Sequence, residues 1–269
     1  MMLTPSSNGT ALITGASTGI GAIYADRLAQ RGYDLILVAR STEKLSEVAG
    51  RSNSTGRTIE TIPADLTSKE DVERVAERLS TDSAITALVN NAGVGSAGKL
   101  LEAKIDDLES MIYLNVIALT RLALAALPGF VRRKKGLLIN IASIVALEPE
   151  LLNGAYSGSK AYVVNFTQAL KSELEGTGVI VQAVLPGAIA TPFWDKAGRP
   201  VEHLPNQIVM TPEDLVDASL VGLDQHELIT IPSLPDIADW QNFEAARKAL
   251  GPNLSRQKPA ARYRVRETN

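Results

Sequence analysis

What most constrains this chain is an alternation that runs through most of its length. Short runs rich in Val, Ile and Leu recur between longer stretches of helical periodicity. TALIT (10–14), DLILVA (34–39), TIETIPAD (58–65), ITALVN (85–90), GLLINIA (136–142), VIVQAVLP (179–186) and LITIP (228–232) read as strands. Runs without polar alternation suit strands covered on both faces. The intervening spacing predicts helices over 19–30, through Glu43 and Glu47, and over 68–79, 105–131, 155–174 and 211–223. The last of these opens on a Thr211 cap. Strands and helices in this order build a doubly wound, mostly parallel sheet with helices on both faces.

Neither an internal repeat nor a linker divides the 269 residues, so one domain over 1–269 is expected. Two regions escape the pattern. Residues 188–210 carry three prolines and the aromatics Phe193 and Trp194 with no clear period, as a lid over a site would. The tail 251–269 holds five Arg/Lys against one Glu and reads as a solvated arm docking on its own or a neighbouring subunit.

The first strand runs straight into TGASTGIG (14–21). Gly15, Gly19 and Gly21 sit where a tight turn enters a helix and a backbone must approach a ligand closely. The helix start offers amides and the positive dipole end to a pyrophosphate. The second strand ends in Ala39-Arg40-Ser41. An NAD site usually places an acid there to accept from the ribose 2′-hydroxyl. Ala39 supplies none, whereas the planar fork of Arg40 suits a 2′-phosphate, which argues for NADP(H) over NAD(H).

TGASTGIG, Asp65 closing the third strand, NNAG (90–93) at the end of the fourth, Asn115, Ser143, and Tyr156 with Lys160 follow one another at characteristic spacings. Together, over about residues 10–192, they resemble the short-chain dehydrogenase/reductase family in its small single-domain branch. The resemblance implies a Rossmann-type fold of seven mostly parallel strands. It also implies a reaction that moves a hydride between nicotinamide and a carbonyl or secondary alcohol, with Asn115, Ser143, Tyr156 and Lys160 as the catalytic set. The cofactor-binding set it implies is Gly15, Ser17, Thr18, Gly19, Ile20 and Gly21 of the turn, Arg40 and Ser41, Asp65 and Leu66, and Asn91, Ala92 and Gly93. Pro186, Gly187, Ile189 and Thr191 complete it beside the nicotinamide, with Tyr156 and Lys160 shared between the two sets. In the family the lysine also binds the nicotinamide ribose, the aspartate binds the adenine amino group, and Asn115 would hold a water linking Lys160 to solvent.

The chemistry of these side chains fits independently. Tyr156 and Lys160 are four apart in an expected helix and share a face. A phenol is a poor base at neutral pH, and a nearby ammonium would lower its pKa into a usable range. Ser143, at the carboxyl end of a strand, can donate to a developing oxyanion. Taken singly, each feature has a plainer reading. Tyr156 and Lys160 could be an exposed helical pair, Asp65 a cap for SKEDVERV, Asn90 and Asn91 turn residues, and His203 a surface histidine.

Composition closes other routes. There is no cysteine and only two histidines, His203 and His226, so no disulfide framework, thiolate nucleophile or zinc-imidazole centre is expected, and no metal. With 27 Lys/Arg against 30 Asp/Glu the net charge is −3, which gives no general pull toward nucleic acid or an anionic membrane. LNVIALTRLALAALPGFV is interrupted by Arg121 and Pro128 and reads as a buried helix, so a soluble, cytoplasmic protein is expected. The substrate is expected to be a small carbonyl or alcohol against an apolar wall that includes Phe193 and Trp194, along with Ser143 and Tyr156. By resemblance the chain is a homodimer or homotetramer. The alternatives are a cofactor-sensing protein without turnover and, from the same Tyr-x-x-x-Lys pair, a nucleotide-sugar epimerase or dehydratase of the longer branch.

Overall fold

The computed structural model describes residues 6–52, 55–96, 98–198 and 200–263. The chain divides between Pro232 and Ser233 into two compact units. The first begins with β1 (Thr10–Thr14), α1 (Gly19–Gln30), β2 (Asp34–Ala39), α2 (Thr42–Ser52), β3 (Ile59–Pro63), α3 (Lys69–Thr81) and β4 (Ile85–Asn90). It continues through α4 (Ile105–Ile112), α5 (Leu119–Arg133), β5 (Gly136–Ile141), α6 (Gly154–Glu173) and β6 (Val179–Val184). It ends with β7 (Ala188–Ile189), α7 (Phe193–Lys196), β8 (Val209–Met210), α8 (Pro212–Asp224) and β9 (Ile229–Thr230). The second unit contains α9 (Ile237–Ala249), none of whose residues is buried.

Seven strands form one parallel sheet in the order β3-β2-β1-β4-β5-β6-β9. Side chains alternate across a strand, and here both sets are buried. Ala11, Ile13, Leu35 and Leu37 pack on one face with Tyr24, Leu28, Val216 and Leu220 of α1 and α8. Leu12, Ile36 and Val38 pack on the other with Val72, Val75, Leu122 and Phe130 of α3 and α5. Each such side chain stabilises the fold by roughly 1.5–3 kcal/mol relative to exposure. That two-sided burial is the physical reason the strand sequences show no polar alternation.

Strand order reverses between β1 and β4, the place where open sheets of this kind leave a crevice at their carboxyl ends. Several other helix starts are closed by side chains. Ser68 caps α3, Asn153 caps α6 and Thr211 caps α8. At α1, Thr18 makes no such bond, so the first-turn amides beside the glycine turn keep their donors for another acceptor.

The expected helix 105–131 differs in its middle. Tyr113–Ala118 is a π-helical turn joining α4 to α5. The extra residue in that turn brings Asn115 inward, where it is 1% exposed. The continuous span Ile105–Arg133 is by length and composition able to cross a membrane, despite Arg121 and Pro128. Its most apolar stretch is 56% buried, and Leu122, Ala126 and Phe130 belong to the core, as in a core helix. Segment 188–210, read as irregular, contains the β7–β8 pair, with Ala188 opposite Val209 and Ile189 opposite Met210.

Candidate active site

A cavity of about 640 Å³ lies along the carboxyl ends of β1, β2, β4, β5 and β6. Gly15, Ser17, Thr18, Gly19 and Ile20 line it from the first turn, Arg40 and Ser41 from the end of β2, and Asp65 and Leu66 from beyond β3. Asn91, Ala92, Gly93, Ser143, Tyr156, Lys160, Pro186, Gly187, Ile189, Thr191, Phe193 and Trp194 complete the contribution of the expected residues. Gly21 and Asn115 do not line it and act from behind.

The glycines are there for space and for backbone conformation. Gly15 and Gly19 have φ of +65° and +55°, where a side chain is strained. A Cβ on Gly21 would collide with the Gly15 carbonyl and the Asn91 side chain. Asn91 fastens this turn to the end of β4. Its Nδ2 donates to Thr14 O (2.9 Å) and Gly15 O (3.2 Å), while the backbone amides of Asn91 and Ala92 both donate to Thr14 Oγ1 (3.0 Å each). Asn91 therefore shapes the turn; the bonds of its side chain are to protein backbone. Asn90 is buried beneath, where its Nδ2 donates to Asn140 Oδ1 (3.1 Å), and Asn140 Nδ2 donates to Thr167 Oγ1 (2.9 Å).

At one end of the cavity Arg40 is exposed at the tip of β2, and Ala39 leaves no carboxylate beside it. Lys44, which the sequence reading missed, lines the same mouth. It lies in the first turn of α2, and Arg40 and Lys44 both line the cavity. Ser41 Oγ accepts from Lys44 N (3.3 Å) and so caps that turn. Asp65 is not the cap of α3, since Ser68 is. Its Oδ1 accepts from Thr67 N (3.0 Å) and Thr67 Oγ1 (2.8 Å), closing the loop that carries Leu66.

At the other end Ser143, Tyr156 and Lys160 converge, 8%, 5% and 5% exposed. They are not an exposed helical pair with a distant serine. Ser143 follows β5, donates to Pro186 O (3.4 Å) and accepts from Val145 N (3.4 Å), with its hydroxyl facing the Tyr156 phenol. Burial pushes that phenol above its ordinary value, and the neighbouring Ser143 hydroxyl offsets only part of the rise. This is opposite to the lowering expected from the nearby ammonium. The reason is where Lys160 points: its Nζ donates to Ile141 O (2.9 Å) and lies 5.9 Å from the Tyr156 ring centre. Burial also lowers Lys160, from 10.5 to about 8. Asn115 stands behind, its Nδ2 donating to Val94 O (2.9 Å) and Ser159 Oγ (3.1 Å), and Ser159 Oγ donates to Tyr156 O (2.7 Å).

The wall around this end comes from Val94, Leu114, Val145, Leu152, Phe193, Leu204 and Ile208. The Phe193 ring lies 6.0 Å from that of Tyr156, with Trp194 edge-on to it at 5.7 Å. Trp194 Nε1 donates to Ile189 O (2.9 Å). Among the described residues, the charged ones lining the cavity are Arg40, Lys44, Asp65 and Lys160, none of them on this wall. Among the described residues no three His, Asp or Glu side chains group so as to hold a metal ion. His203 does not line the cavity.

A nucleotide-binding α/β fold with a buried Ser-Tyr-Lys group at the carboxyl edge of its sheet defines the class of an oxidoreductase. The family model described as short chain dehydrogenase matches residues 9–201. Similar solved structures include a short-chain dehydrogenase from Sphingobium yanoikuyae in complex with NADPH, 43% identical, with a TM-score of 0.91 over 94% of this chain and 98% of that one. The bulky-bulky ketone specific alcohol dehydrogenase from Comamonas testosteroni is 40% identical, with a TM-score of 0.88 over 96% of this chain and 99% of that one. Among sequences, the very-long-chain 3-oxoacyl-CoA reductase of Anas platyrhynchos is 36% identical over 229 residues, which are 82% of this chain and 71% of that one. The chain belongs to the short-chain dehydrogenase/reductase family, oxidoreductases on a Rossmann-type fold.

Proposed function

We propose that this protein is an NADP(H)-dependent reductase of uncharged, apolar ketones, with Tyr156 as its general acid. The observation that carries the reading is the layout of one cavity: Arg40 and Lys44 at one mouth, and a buried Ser143–Tyr156–Lys160 group beside an apolar wall at the other. The residues fit the dinucleotide. The glycine turn keeps side chains out of the cleft, the α1 amides face it, and Arg40 and Lys44 suit a 2′-phosphate in preference to the 2′-hydroxyl of NAD(H). When bound, NADPH supplies the hydride that the carbonyl carbon accepts.

Ser143 and Tyr156 hold the carbonyl oxygen by hydrogen bonds that strengthen as charge develops on it. A phenol raised by burial is fully protonated at neutral pH, so Tyr156 has the proton the new alkoxide takes. The π pair of the C=O bond becomes the oxygen lone pair, the Tyr156 O–H bond breaks, and the alcohol O–H forms. Lys160, still mainly cationic near pH 7 and held by Ile141 O, is placed to bind the nicotinamide ribose. Asn115 keeps Val94 and the Tyr156 helix in place through Val94 and Ser159.

The breadth of the apolar wall favours substrates with bulk on both sides of the carbonyl, the class named for the Comamonas testosteroni enzyme. Ile117, Leu124 and Tyr162, exposed on the helices of 105–133 and α6, support pairing of subunits through these helices as a dimer or tetramer. The test is a ketone panel with NADPH and NADH, followed by loss of nicotinamide absorbance. Turnover of diaryl and branched ketones with NADPH in preference to NADH is the expected result. NADPH binding with no turnover on any carbonyl would refute it in favour of a cofactor-sensing role.

A further inference from the structure

Beyond β4, Val94, Ser96 and Gly98 are held by two buried asparagines. Asn115 holds Val94 by both backbone groups, accepting from Val94 N at 3.1 Å and donating to Val94 O at 2.9 Å. Asn153, 7% exposed, uses both ends of its amide. Its Oδ1 caps α6 by accepting from Ala155 N (3.0 Å) and Tyr156 N (3.1 Å). Its Nδ2 donates to Ser96 Oγ (2.8 Å) and Gly98 O (3.3 Å). One side chain thus ties this loop to the turn that carries Tyr156.

Between the pins lies Gly95. A Cβ built there would overlap Cζ of the Phe193 ring, with Cε1 and Cε2 at 3.0 Å. Gly95 is not in the left-handed region, so alanine would bring only that Cβ and no backbone strain. The Phe193 ring also neighbours that of Tyr156, and Phe193 packs against the cluster of Met111, Val145 and Tyr156. Trp194, held to Ile189 O, stands edge-on to the Phe193 ring. Phe193 therefore meets the bare backbone of Gly95 at the tip of its ring and has the reacting phenol as a ring neighbour.

We infer that Gly95 is a specificity-determining residue, acting through Phe193, and that Asn153 is the positioning residue that holds Gly95 in place. The absence of a side chain at Gly95 lets the Phe193 ring sit back from Tyr156, and the room this leaves admits a ketone with bulk on both sides. The inference rests on the reductase reading above.

The experiment measures kcat/KM for benzophenone and for butan-2-one with NADPH in wild type, Gly95→Ala, Phe193→Ala, the double variant and Asn153→Asp. Gly95→Ala is expected to lower the benzophenone-to-butanone ratio by about tenfold or more, since pockets discriminate by that order per added methylene. With the ring removed by Phe193→Ala, the same change should move the ratio by less than about twofold. Asn153→Asp keeps the helix cap, because aspartate serves that position equally well, but leaves the Gly98 carbonyl facing an acceptor. It should shift the ratio in the same direction with NADPH affinity unchanged. A ratio unmoved by Gly95→Ala, or moved equally with and without Phe193, overturns the inference. Wild type that reduces neither ketone overturns instead the reductase reading beneath it.

Discussion

Lys160→Met is expected to make the protein more stable while removing its activity. The Lys160 ammonium sits in an environment that lowers its pKa from 10.5 to about 8. At about 1.4 kcal/mol per unit, that shift is a folding cost of about 3 kcal/mol at neutral pH. The bond from Nζ to Ile141 O, 2.9 Å long, returns about 1.5 kcal/mol as a hydrogen bond from a charged donor. Replacing the ammonium by an apolar chain of similar length should therefore stabilise the folded state by roughly 1–2 kcal/mol at pH 7. The pH dependence gives the sign. Below about 8 the lysine is protonated in both folded and unfolded chains, and the full cost stands. Between about 8 and 10.5 the folded lysine has lost its proton while the unfolded one keeps it, so wild-type stability rises with pH. Above 10.5 the cost is gone. Urea denaturation of wild type and variant without added nucleotide, at several pH values from 7 to 10.5, reads the difference, and other titrating groups cancel between the two proteins. A variant less stable than wild type at pH 7, or a gap that does not narrow as pH rises, would refute the reasoning.

Gly21→Ala should weaken NADPH binding and lower stability together, because its Cβ meets the Gly15 carbonyl, a backbone atom that cannot step aside; nucleotide titration and thermal melting check both. Arg40→Asp should weaken NADPH by about 10–100-fold, the worth of a charged hydrogen bond, and leave NADH nearly unchanged. Lys44→Ala should move the same preference in the same direction by a smaller factor, read from the ratio of dissociation constants. A ratio untouched by either change would remove the 2′-phosphate role.

The inner strands β1, β2, β4, β5 and β6 were legible because burial on both faces leaves continuous apolar runs, while β3 and β9 were legible from the apolar residues of TIETIPAD and LITIP and their place in the alternation. The Thr211 cap was legible for a similar local reason, a threonine set just ahead of Pro212 and two acids. The π turn at 113–118 was not. YLNVIA keeps the apolar spacing of an α-helix, and only the bonds of Asn115 to Val94 and Ser159 mark the extra residue. The strands β7 and β8 are two residues each, too short for any period. The helix α9 shows no apolar stripe in IADWQNFEAARKA and buries none of its residues.

At the site, the motif residues could be read from type and spacing, but their energetics could not. Four residues on one helical face predicts that Tyr156 and Lys160 share a side. It does not tell that Lys160 Nζ turns to the Ile141 carbonyl, or that burial outweighs charge at the phenol. Lys44, in the first turn of α2, looked like one more surface charge. Asn153 and Gly95 carried no signal, since what they do depends on a loop and a ring nearly a hundred residues apart.

The central claim is that Tyr156 is the proton donor to the substrate oxygen. The most direct measurement is single-turnover ketone reduction by Tyr156→Phe, alongside its NADPH dissociation constant. The account predicts a rate lower by about 10²–10⁴-fold, the usual contribution of a positioned acid, with NADPH affinity unchanged. Reduction at the wild-type rate by the phenylalanine variant would contradict it.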